Sequence, residues 1–507
     1  MTASPTARPA TTPAPTAPSR RRLGVPAVTF MIVAASAPLT VLAGGVTTTF
    51  AVTGVLGVPL SFLILGAALT IFAVGYAAMN RFVTNAGAFY AYIAQGLGRP
   101  LGVGSSIVAL ISYNAMQIGI YGIFGYTVSN LLSERLGISV PWYVPVFVCI
   151  AVVGVLGVNR VDLSAKVLGI LVGLEFLVVI IYDVSSFAVA PEGVTGVAFE
   201  PSSLFVTGIG AVFAFGIAAF MGFESAAIYG EESKDPKRTV ARATYTAVAI
   251  IALFYALSAW AMTVGIGPSQ VVAAATEQGP NLIFGFLGDH VSMVISDIAQ
   301  VLFVTSVFAS LVSFHNAVAR YFFSLGREGV LPAAMGRIGR RGGAPVVGSL
   351  TQTVIAVVVV IGFAIAGAGS PLGDLYPVIT LFTWLTNTGA MGLVLLMALI
   401  SLAVIGFFRR HPASLSSWST MVAPIISFIA LATIWVLILV NYTVLLGQAE
   451  PDASTFLLPA IVLVPGLVGV WWGFRLKRSN PRVYRQIGHG ADDPEAQLDA
   501  DVPADAS

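Results

Sequence analysis

The chain has 507 residues, 57% of them hydrophobic and only 9% charged, with a formal net charge of +2 and a mean hydropathy of +0.90. Soluble domains carry about 25% charged residues, so this composition excludes an ordinary soluble enzyme and predicts an all-α polytopic membrane protein with the lipid bilayer, not nucleic acid, around it. A single cysteine, Cys149, and four scattered histidines provide neither a disulfide framework nor metal-ligand spacing, and no metal or cofactor is expected.

Residues 1–22 are rich in Thr, Ala and Pro and are expected to be a disordered cytoplasmic segment. Arg20, Arg21 and Arg22 before an apolar run suggest a signal peptide, but residues 25–50 are too long for its apolar region and read as a retained first helix. A bilayer core of ~30 Å needs ~20 apolar residues per helix. Twelve stretches qualify, at about 26–50, 55–79, 101–130, 142–158, 161–187, 203–229, 239–266, 291–319, 347–367, 376–407, 421–446 and 456–474. The first ten form an expected core, 23–410, followed by two peripheral helices in 411–478 and an acidic tail, 479–507, expected to be disordered and cytoplasmic. When these spans alternate, every one of the 25 Lys and Arg residues except Arg135 falls on the side of the N-terminus, whereas the opposite loops hold Glu192, Glu277, Asp374 and Glu450. Positive charge gathers on the cytoplasmic side, which predicts that both termini lie there.

Two spans look discontinuous. The first reads AASAPLTVLAGG over residues 34–45, where Pro38 removes a backbone donor and Gly44 and Gly45 loosen the helix beyond it. The sixth holds Gly216, Gly222 and Gly230 and an acid, Glu224, before the composition flips to Glu231, Glu232, Lys234, Asp235, Lys237, Arg238 and Arg242. Interrupted helices five spans apart point to an inverted five-plus-five repeat.

The run Gly222-Phe223-Glu224, with Glu231-Glu232 through Pro236 and Arg238, resembles the sixth transmembrane segment of the amino acid–polyamine–organocation (APC) superfamily. Residues 87–92 (GAFYAY) with 96–100 (GLGRP) are similar to the family's segment before helix three. Residues 327–332 (REGVLP) with Pro345 resemble its loop after helix eight, and residues 161–180 its fifth helix. Together these cover most of residues 25–410. The resemblance implies the inverted-repeat fold of secondary amino acid transporters. It also implies that a substrate carboxylate sits at a break in helix one and an ammonium at carbonyls of helices one and six. That break then falls on Leu39-Thr40-Val41, beside Ser36 and Ala37, in place of the family's Gly-Ser-Gly; alternatively, Pro38 only kinks a packed helix. The matching part of helix six is residues 215–220, including Phe215, Gly216, Ala218 and Phe220. Ala218 stands where relatives carry an aromatic lid, which leaves Phe220 and Phe223 as lid candidates or as ordinary packing aromatics.

Four further groups carry expectations. A carboxylate inside a span is costly when ionised, so Glu224, matching a proton-sensing acid in a relative, is a candidate for proton coupling or a prop for the break. Glu175 stands where several relatives hold a lysine, and is a second proton site, an attractor of cations, or a neutral hydrogen-bonding group; Lys166 is expected to snorkel. Tyr113, Gln117 and Tyr121 share a face of helix three, with Asn114 beside them, where Tyr113 and Gln117 match positions near the substrate side chain or simply hold helices together. Ser310, Ser313, His315 and Asn316 make helix eight polar, through sodium binding or packing. The expected activity is secondary transport of amino acids or related amines, coupled to protons more readily than to sodium. Neutral substrates are favoured because helix three lacks acids for a dication. An exchanger and a nutrient receptor remain open. No catalytic constellation, channel filter or nucleotide motif is visible.

Overall fold

A computed structural model describes residues 24–83, 89–159, 165–223, 236–339 and 344–488. Glu224 and the charged residues Glu231, Glu232, Lys234 and Asp235 lie outside these. Every regular element among the described residues is helical. In chain order the main ones are α1 (Val25–Ala35), α2 (Thr40–Thr53), α3 (Val58–Met79), α4 (Phe89–Leu97), α5 (Arg99–Leu136), α6 (Tyr143–Val158), α7 (Ala165–Val189) and α8 (Ile209–Ala219). They continue with α9 (Pro236–Ile266), α10 (Val271–Gln278), α11 (Leu282–His290), α12 (Met293–Arg327), α13 (Val346–Ala366), α14 (Gly373–Arg410), α15 (Trp418–Val440) and α16 (Ala453–Ser479).

Among the described residues nine of these, α3, α5, α7, α9 and α12 to α16, are long and apolar enough to cross a membrane. The other three expected spans hold shorter helices. The first is divided into α1 and α2, the fourth is α6 with 16 residues, and the sixth begins as the 11-residue α8. Many large apolar side chains face outward, among them Leu457, Val464, Leu467 and Trp471 on α16 and Val354, Val358 and Ile365 on α13. Lipid is the solvent for such a surface, and in it each span must satisfy its own backbone.

The first span departs from that rule in a controlled way. α1 ends at Ala35, and Ala37 takes a left-handed φ of 50°, costly for a residue with a Cβ. The break expected at Leu39-Thr40-Val41 therefore lies earlier, at Ser36–Ala37. The reason is Pro38: it lacks an N–H and its fixed φ suits the first turn of a helix, so it starts the second half instead of lying inside the gap. Residues Thr40–Val46 then form a wide π-helical turn. Its displaced carbonyls are met by hydroxyls, with Thr47 Oγ1 donating to Leu42 O at 3.0 Å and Ala43 O at 2.8 Å, and Thr49 Oγ1 to Gly45 O at 2.7 Å. The α1–α2 span belongs to the bundle, since α1 packs on α9 and α7.

α8 stops at Ala219, and Gly222 follows with a φ of 107°, a conformation that favours glycine. α5 lies at the centre, against α16, α14, α12, α4 and α6. Its contact with α16 depends on small residues: a Cβ on Gly104 would meet Val470 Cγ2, and would lie 2.8 Å from Gly466 O. Residues 489–507 lie outside the described residues. The disorder expected over 479–507 is corrected in its first part by a short helix, Pro481–Gln486, capped by Asn480, whose side chain accepts from Val483 N at 3.2 Å. It docks on α4 and α5, where Gln95 Nε2 donates to Gly488 O at 3.0 Å and the Arg99 guanidinium lies 5.4 Å from the centre of the Tyr484 ring.

Wedging this packing has a testable cost. Gly104→Val is expected to destabilise the protein by about 1–3 kcal/mol, seen as a lower thermal unfolding midpoint in detergent, whereas Val354→Leu on the lipid-facing side of α13 leaves the midpoint unchanged.

Candidate functional site

The break in the first span borders a cavity of about 80 Å³. Ser36, Ala37, Thr40 and Val41 supply one wall, and Phe215 and Ala218 of α8 supply another. Opposite them stand Phe62 of α3, Met116 and Ile120 of α5, Phe314 of α12 and Phe382 of α14, with Thr49, Ser310 and Thr386 adding hydroxyls. No ionisable side chain lines this space among the described residues.

Behind the break lies a buried polar cluster. Glu175, 2% exposed, reaches from α7 and its Oε2 accepts from Leu39 N at 3.4 Å and from Ser306 Oγ of α12 at 2.9 Å. Since Ser306 gives its proton to the carboxylate, the Thr40 hydroxyl, 3.1 Å away, donates to Ser306 Oγ. On the other side the Tyr255 hydroxyl of α9 lies 2.8 Å from Ser36 Oγ and donates to Ser36 O at 3.3 Å. The two ends of the opened helix are thus held by different helices, Ser36 by α9 and Leu39 and Thr40 by α7 and α12.

Of the residues singled out from the sequence, Ser36, Ala37, Thr40, Val41, Phe215 and Ala218 come together at the cavity. Leu39 turns its N–H toward Glu175 and its side chain into the core. Gly216 lies against α3, where a Cβ would be 2.5 Å from Leu65 Cδ1. Phe220 and Phe223, the lid candidates, are fully buried against α3, packed on Phe62 with centroids 6.3 Å apart and on Phe72 at 6.0 Å. Tyr113 packs on Phe314 and Tyr321 at 6.2 and 5.4 Å. Gln117 is enclosed in a network: Gln352 Nε2 donates to its Oε1, its Nε2 lies 3.4 Å from His315 Nδ1, and His315 Nε2 lies 2.7 Å from Ser349 Oγ. Ser310 reaches the cavity, Ser313 is exposed, and Ser306, one turn before Ser310, is the α12 hydroxyl at the break.

Sequence reasoning did not find Ser306, Tyr255 or Phe62. Each is an uncharged residue in a continuous apolar helix and carries no signal of its own. A signal did exist for the pair Ser306 and Ser310, which share a helix face at i, i+4.

An all-helical bundle with an outward apolar surface, whose broken span opens on an uncharged internal cavity, is a multi-pass membrane protein built around a small-molecule site. A model of the amino acid permease family matches residues 27–483, and the chain belongs to that family. Its members are transporters, not enzymes, so amino acid transport is the general activity and an amino acid the class of substrate. None of the curated proteins compared with the chain matches it.

The hold of Glu175 on the break has a measurable strength. Glu175→Ala leaves the Leu39 N–H and the Ser306 hydroxyl without their acceptor, and stability is expected to fall by about 1–3 kcal/mol. Glu175→Gln keeps an acceptor oxygen and loses less. Equal losses in thermal unfolding for the two variants would contradict this bonding.

Proposed function

We propose that this permease carries neutral amino acids across the cytoplasmic membrane by alternating access, driven by protons. The observation that carries the reading is the cavity itself. It opens on the broken first span and contains hydroxyls, backbone and apolar surface, but no charged side chain among the described residues. The charges of a zwitterion then fall to peptide groups: N–H groups at a half-helix start suit the carboxylate and carbonyls at a half-helix end suit the ammonium. Ser36, Ala37, Thr40 and Val41, which line the cavity at the break, are the residues assigned to the first task, with Leu39 behind them giving its N–H to Glu175 and Phe215 and Ala218 of the sixth span lining the same cavity. Met116, Ile120, Phe314 and Phe382 offer an apolar wall to an uncharged substrate side chain, and Phe62, which lines the same cavity as Ala218, is the aromatic offered in place of the lid that Ala218 lacks.

Glu175 is the proposed coupling group, with Glu224 as a second. An ionised Glu175 accepts charge-assisted hydrogen bonds, roughly twice as strong as neutral ones, and ties the break to α12. Protonation weakens that tie, so the broken span and α12 can separate; a proton shifts the balance between conformations only because it binds one of them better. The full architecture proposed is twelve spans with helices 1–5 and 6–10 as inverted repeats and both termini cytoplasmic. Support for it comes from the charge distribution, the divided first span and the helix end at Ala219.

The test is uptake of labelled amino acids into proteoliposomes, with and without an inward proton gradient. Neutral amino acids are expected to accumulate under the gradient, and lysine and arginine not to. Glu175→Gln is expected to keep exchange of internal for external substrate and to lose gradient-driven accumulation. Uptake that ignores the gradient but requires internal amino acid would make the protein an exchanger, and no flux at all would make it a receptor.

A further inference from the structure

α7 buries a second carboxylate. Asp183 follows Glu175 by eight residues, about 12 Å along the helix at 1.5 Å per residue, and is 4% exposed. It lies toward the Val189 end of α7, the external end in the topology proposed above. Its Oδ2 accepts from Ser258 Oγ of α9 at 2.8 Å, while Oδ1 has no hydrogen-bond partner among the described residues. A buried acid with half of its carboxylate unsatisfied is costly to keep, and nothing in the substrate cavity uses it.

Its position relative to the break supplies the second observation. On α9, Tyr255 and Ser258 are three residues apart and so share a face. Ser258 meets Asp183 and Tyr255 meets Ser36, next to the helix opening that Glu175 holds. A polar seam therefore runs between α7 and α9 from Asp183 to the break, through an otherwise apolar interface where Val179 is fully buried. Few other ionisable groups face it. Tyr182 lies beside Asp183 with its ring on Phe286 of α11 at 5.2 Å, Asp289 and His290 are exposed at the end of α11, and Arg238 and Arg242 lie at the opposite end of α9. α1 contributes none, and Asp297 on α12 is paired with Arg135.

We propose that Asp183 is a proton-relay residue that loads Glu175 from the external side. Asp183 Oδ1, buried in this conformation, takes a proton from external water when the external side opens, and the proton passes along the Ser258–Tyr255 seam, through water, to Glu175. Glu175 in turn gives up one proton to the cytoplasmic side, so each acid gains and loses one and a single proton crosses with the substrate. The proposal rests on proton coupling at Glu175, and the experiment separates the two.

The full-length protein is reconstituted with an entrapped pH dye, and proton influx stimulated by a labelled neutral amino acid is read together with substrate counterflow in the absence of a gradient. Asp183→Asn is expected to cut the influx by about 100-fold, the low end of what a positioned proton-transfer group contributes, with counterflow unchanged. Ser258→Ala keeps the carboxylate and is expected to move the external pH of half-maximal uptake. Wild-type influx in Asp183→Asn would overturn the relay and leave coupling at Glu175 standing. No substrate-linked influx in the wild-type protein would overturn both. Should Asp183→Asn lose counterflow as well, an unmoved pH profile in Ser258→Ala would assign Asp183 a structural part and overturn the relay, whereas a moved profile would support it.

Discussion

Glu175 Oε2 holds together three elements: its own helix α7, the opened first span through Leu39 N, and α12 through Ser306. A helix broken inside a bilayer exposes peptide groups where no water replaces the lost bonds, and the break persists because each end finds another partner. Thr40 reaches Ser306, Ser36 reaches Tyr255, and the threonines of α2 close over the carbonyls of the π-helical turn. Pro38 interrupts the helix, and this cluster satisfies the peptide groups and side chains on either side of the interruption. The cavity here is thus bordered by the same residues that satisfy the broken backbone.

The rest of the bundle packs around that arrangement. α5 is enclosed by α16, α14 and α12, with glycine at its closest approach to α16. Gln117, Gln352, His315 and Ser349 tie α5, α12 and α13 to each other. These bonds join amide, imidazole and hydroxyl groups of three helices, with Gln352 Oε1 alone of their amide oxygens buried without a partner among the described residues. The bond at Glu175 differs in kind, because one proton changes its strength. In the proposed cycle, that difference separates elements that stay from elements that shift.

Much of this was legible in the sequence, for reasons that can be named. Composition and charge asymmetry revealed a membrane protein because burying or exposing Lys and Arg at the wrong depth is so costly. Pro38 revealed a broken span, yet the break falls just before it, since proline fits the first turn of a helix better than a gap. The spacing of Tyr113 and Gln117 showed a polar face on α5, but not what covers it; that depends on Gln352 and His315, roughly two hundred positions away along the chain. Phe62 was invisible because a phenylalanine in a uniform apolar span has the same pattern whether it faces lipid or a cavity. The disorder expected from the acidic residues beyond Gly488 was extended back to residue 479, although Asn480 and Pro481 supply a helix start.

The claim that the substrate occupies the cavity at the broken span is tested most directly at Ala218, which lines it. Because Cys149 is the single native cysteine, a Cys149→Ala background carrying Ala218→Cys offers one thiol for alkylation. A transported amino acid at saturating concentration is predicted to slow modification of that thiol, while an amino acid that is not transported leaves the rate unchanged. Modification at the same rate with and without a transported substrate would contradict the account and move the site elsewhere in the bundle.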